Sequence, residues 1–100
     1  RVAASNEAAY RASVDWQERT GRPLRMRDYH AFGWLMDAYL ELGRLDDACA
    51  LVEELDELAA TARERGEDPG RIPSLAERFA ERYRTAAAEA GASASCPAAP

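Results

Sequence analysis

Apolar residues recur every three or four positions along most of the chain, and short glycine- and proline-bearing stretches break the pattern. Over residues 1–20, Val2, Asn6, Ala9, Ser13 and Trp16 share one stripe with Tyr10 and Val14 beside it, which predicts an amphipathic helix. Gly21 and Pro23 stop it. A second helix is predicted over 28–42, with Asp28 as its N-cap and Tyr29, Phe32, Leu35, Met36 and Tyr39 as its main stripe. Trp34, Ala38 and Leu42 widen that stripe, and a helix apolar around most of its circumference belongs between neighbours. A third helix over 45–65 repeats Ala48, Val52, Leu55, Ala59 and Ala62, with Asp46 and Asp47 in its first turn and Arg63 and Arg65 in its last. Only Gly43 and Arg44 separate the second helix from the third, so the two must fold back as an antiparallel hairpin.

Residues 66–73 hold two Gly and two Pro and read as a loop. Ser74 with Glu77 then makes a capping box, which opens a fourth helix over 75–90 with Leu75, Phe79, Tyr83, Ala86 and Ala90 on its apolar face. The first 91 residues thus read as one helical domain. Residues 92–100 have no periodicity and read as a flexible tail. No N-cap precedes Val2, so the first helix is expected to begin upstream, in a longer parent chain.

Composition strengthens the helical reading and narrows the partners. Ala supplies 22 of the 100 positions and all 13 basic residues are Arg, while Val, Ile and Thr together number seven, too few for a sheet. A net charge of −5 argues against nucleic acid and against an anionic membrane surface. No apolar run approaches the roughly 20 residues a membrane span needs. No targeting segment is visible; the location stays open, with the cytoplasm slightly favoured. Cys49 and Cys96 show no metal-ligand spacing; a bridge between them has no local signal, and Cys49 reads as a small buried hydrophobe.

The stretch Phe32-x2-Leu35-x3-Tyr39-x3-Gly43-x-Leu45-x2-Ala48-x3-Val52 resembles a tetratricopeptide repeat. Tyr39, Gly43, Leu45 and Ala48 match that pattern well, whereas Met36 stands where the family prefers Gly or Ala, and Ala60 where it often has Pro. A weaker match lies at residues 2–9, where Val2, Asn6 and Ala9 align with Ala48, Val52 and Leu55. The combined wording is similar to large bacterial multi-repeat proteins of this superfamily. The resemblance implies an all-α fragment of an α-α superhelix with about four helices, and a protein-binding or scaffold function without catalysis or cofactor.

In such repeats the face of the first helix lines a groove for a peptide or partner helix. Here that face carries His30, Gly33, Asp37, Leu40 and Glu41, an acidic lining suited to a basic or amphipathic partner; the alternative is a plain solvated face. The Lys and Asn of the carboxylate-clamp subgroup are missing, with Gly33 and Asp37 at those places, so capture of a C-terminal carboxylate is not expected. His30 is the only histidine, with Asp28 and Asp37 as the only partners that helix spacing offers. No glycine-rich phosphate loop, G-x-S-x-G or H-E-x-x-H is present. Arg19, Arg22, Arg25 and Arg27 cluster around the first loop, where they either hold an anion or pair with the acidic third helix. Trp16 and Trp34 read as core or inter-repeat contacts, and the polar face Glu77, Arg78, Glu81, Arg82 and Arg84 as that of a capping helix. Two alternatives to a binding module remain, an accessory domain of an enzyme and a self-association module.

Overall fold

A computed structural model describes residues 2–91 and Cys96, with side chains from Ala4 onward. The expectation of a flexible tail, Cys96 apart, and the side chain of Val2 lie outside the described residues. Among them the fold is all-α, with helices α1 (Val2–Thr20), α2 (Tyr29–Glu41), α3 (Leu45–Glu64) and α4 (Ile72–Glu89), and a single 3-10 turn at Leu24–Met26. No helix is long and apolar enough to cross a membrane among the described residues.

Local chemistry sets the helix ends. The Asp28 carboxylate accepts from the backbone N–H of His30 and Ala31, both at 3.1 Å, and so caps two of the orphan donors that open α2. At the other end Gly43 takes φ +71°, a conformation that costs a residue with a Cβ but is open to glycine. The N–H of Arg44 then reaches the Tyr39 carbonyl at 2.9 Å and that of Gly43 reaches Leu40 at 3.2 Å, the double closure of a Schellman turn. The same pair of bonds ends α3, from Glu67 to Ala62 and from Gly66 to Arg63. The fourth helix departs from expectation. It starts at Ile72, one turn early, and places Ser74 inside its first turn, so no capping box forms. Pro73 is tolerated there because the N–H it lacks would have had no helical partner. Ile72 is fully buried, and its burial draws the start of the helix back.

The hairpin turn lays α3 back along α2, α1 packs on the other side of α2, and α4 lies along α3 and reaches α2. The centre is Phe32, with no exposed surface. Its ring meets Tyr10 of α1 edge-on at 5.0 Å and Phe79 of α4 in a stack at 5.8 Å. Met36, Val52, Leu55 and Tyr83 fill the rest of the core, each such side chain stabilising by roughly 1.5–3 kcal/mol. Ala48 is fully buried at the hairpin contact, where its single methyl allows the two backbones to approach.

Three expectations are corrected. The inward face of α1 is Tyr10 and Gln17, flanked by Asn6, Ser13 and Val14, while Ala9 is exposed and Trp16 is 42% exposed. The stripe is rotated by one residue because Gln17, though polar, finds buried partners, and Trp16 does not. Trp34 is 57% exposed and so is no core residue. Cys49 is not a free buried thiol: it is bonded to Cys96, which is itself buried at 6% exposure.

Two stability measurements check this arrangement. Ala48→Leu is expected to destabilise by roughly 1–3 kcal/mol through overpacking, read from denaturant midpoints. The disulfide joins residues 47 apart in sequence, and a loop of that size removes about 4 kcal/mol of denatured-state entropy. Reduction should therefore shift the melting transition down, with no change in helicity below it.

Candidate functional site

A cleft of about 580 Å³ lies between α2 and α4. Helix spacing builds both walls. Tyr29, His30, Gly33, Trp34 and Asp37 come from α2, and Arg71, Leu75, Arg78, Phe79 and Arg82 from α4 and the residue before it. The two sets recur at three- and four-residue steps, so each helix offers one continuous face. Leu75 and Phe79 are buried and give the cleft an apolar floor. Gly33 gives it depth: a Cβ there would meet only the Phe79 Cζ, at 3.8 Å, in ordinary contact. The Asp37 carboxylate is bonded to the Arg82 guanidinium, which ties the two walls together.

Of the five residues named from the sequence, the structure brings His30, Gly33 and Asp37 into this cleft. Leu40 lines a neighbouring depression toward the end of α4, with Arg82, Thr85 and Glu89, and Glu41 lies on the exposed surface. The expected acidic lining is not there. Arg25, Arg27, Arg71, Arg78 and Arg82 face the cleft against the single carboxylate of Asp37, so the lining is basic. The basic sign comes from the α4 wall and the connector, which the α2 face alone does not reveal. The periodic run Arg71, Arg78 and Arg82, flanking Leu75 and Phe79, carried the missing signal, and two of those arginines had been assigned to a capping face. Trp34, expected as a core or inter-repeat contact, is exposed and lines the same cleft.

Beneath the cleft lies a buried polar network. Arg27 is only 8% exposed. Its guanidinium donates to the Gln17 side-chain oxygen at 2.7 Å and to the Tyr10 hydroxyl at 3.2 Å, and lies 3.8 Å from the Glu54 carboxylate. Tyr10 in turn donates to Glu54. Gln17 donates to the Arg22 carbonyl at 2.7 Å, and Arg27 joins its connector to both α1 and α3 through one side chain. The Arg27 Nε has no hydrogen-bond partner among the described residues. Of the four loop arginines, Arg27 alone pairs with the acidic third helix; Arg19 pairs with Asp15 at 2.8 Å, Arg25 stands 3.9 Å from Asp68, and Arg22 lies over the Trp16 ring.

A second tyrosine, Tyr39, donates to Glu7 and lies under the Arg44 guanidinium. Burial first, then the Glu7 hydrogen bond, pushes the Tyr39 phenol up to about 12, and burial pushes Tyr29 to about 12 as well. Tyr10 is raised too, by burial and by its bond to Glu54. Among the described residues no group of three or more His, Cys, Asp or Glu is placed to hold a metal ion.

These phenols titrate near 10 in an unfolded chain and higher in the fold, so the stability they lend is complete below about pH 10. It is lost as pH rises through about 12. Phenolate absorbance and helicity, followed together from pH 9 upward, should therefore change in one cooperative step above about pH 10. Comparison with known proteins gives no match to a family model, to a curated protein or to a solved structure.

Proposed function

We propose that the chain is a tetratricopeptide-type protein-binding module that holds a peptide segment in the cleft between α2 and α4. The observation that carries this reading is the cleft itself. Two helices present facing walls over an apolar floor, with a tryptophan at the mouth. Such concave sites with a few convergent polar groups are where ligands bind. The tight turn at Gly43 and the small buried residue at Ala48 support the repeat reading, since a hairpin of α2 and α3 is what such a repeat requires. An extended segment or a short helix laid between them would bury Trp34 and Leu75 while its polar atoms met the rim.

Peptides selected against the whole chain from a random displayed library provide the test. Their affinity is then measured on Gly33→Gln, whose side chain enters the cleft, and on Trp34→Ala, which removes the ring at its mouth. Both variants should retain the wild-type circular dichroism and weaken binding at least about tenfold, a loss of about 1.4 kcal/mol. Selected peptides that bind both variants as tightly as wild type would show that another surface is used.

A further inference from the structure

Resting on that reading of the cleft, we infer that its occupant is an acidic peptide segment, held by the guanidinium groups of Arg71 and Arg78 with an apolar side chain seated between Trp34 and Leu75. The chain as a whole carries a net charge of −5, yet this concavity gathers five arginines against one carboxylate. The arginines are not equivalent. Arg27 is buried in its network with Gln17, Tyr10 and Glu54, and Arg82 is bonded to Asp37. Arg25 has Asp68 at 3.9 Å. Arg71 and Arg78 have no ion-pair partner among the described residues, and both are exposed.

Two unpaired guanidinium groups beside an apolar floor create a positive field that low-dielectric walls focus. Each offers the planar fork that takes a carboxylate through two parallel hydrogen bonds. Their placement also sets a spacing. Seven residues along a helix rise about 10 Å. An extended polyproline-type segment returns to the same face every third residue, about 9 Å on. Acidic side chains three residues apart, with an apolar residue between them, therefore match Arg71, the floor and Arg78 in order. This reverses the partner charge expected from α2 alone.

The probe is a fluorescein-labelled peptide carrying two Glu-Pro-Leu units, compared with the same peptide bearing Gln or Lys in place of Glu, by fluorescence anisotropy on the intact chain. The Glu peptide should bind at least about tenfold more tightly than the Gln form, with no measurable binding of the Lys form and weakening as salt rises. Arg71→Gln together with Arg78→Gln should abolish that preference at unchanged helicity, whereas Arg84→Gln, outside the cleft, should not alter it. Equal binding of the Gln peptide, with sensitivity to Trp34→Ala, would leave the cleft as the binding site and overturn its acidic preference. Binding of the Glu peptide that survives both arginine substitutions would overturn the assignment. So would its displacement by an oligothymidylate of equal charge at equal concentration, which would mark general attraction of anions. No binding of the Glu peptide, alongside library peptides that do depend on Trp34, would refute the acidic segment without touching the module.

Discussion

The fold turns on Phe32. A helix that is apolar around most of its circumference cannot lie on a surface, so α2 must be enclosed from several sides, and Phe32 is where those sides meet. Tyr10 reaches it edge-on from α1 and Phe79 stacks on it from α4, two arrangements that aromatic quadrupoles favour. Because Phe79 is committed to that stack, the wall it belongs to stands a fixed distance from α2. Gly33, one residue further along α2, then leaves the space in front of Phe79 open rather than filled. The cleft is therefore a by-product of how the core closes.

Arg27 adds a second constraint of a different kind. A guanidinium this deeply buried is tolerated only if its charge and its donors are met, and Glu54, Tyr10 and Gln17 meet most of them. The arrangement is directional, unlike apolar burial, so it fixes the rotation of α1 about its own axis. That accounts for Gln17 facing inward while Trp16, its neighbour, faces out.

Sequence reading captured what local physics decides. The Asp28 cap, the Gly43 turn, the hairpin and the small residue at Ala48 each rest on residues within a few positions of one another, and all are found. Features set across the chain were not legible. The inward face of α1 depends on Arg27 and Glu54, which periodicity in α1 cannot report. The start of α4 depends on the burial of Ile72, which overrides a good capping box at Ser74. The bond between Cys49 and Cys96 depends on where the chain after α4 returns. Of the α2 face expected to line a groove, His30, Gly33 and Asp37 do line the cleft, whose charge comes mainly from the facing helix and the connector. Leu40 lines a separate depression against α4, and Glu41 lies on the exposed surface.

The bridge from Cys49 to Cys96 bears on the cleft as well as on stability. At one end of α4, Glu67 accepts the backbone N–H of Leu24 at 2.9 Å, and Gly70 comes so close to Arg25 that a Cβ there would lie 3.2 Å from the arginine Cβ. At the other end, a covalent bond returns the chain to α3. With its start held to the connector and its length packed along α3, α4 behaves as a jaw without a hinge. Whatever enters between it and α2 meets a gauge of set width. The cost of adapting then falls on the guest, and a stiff guest already shaped to the gap gives up less freedom on entering than a supple one.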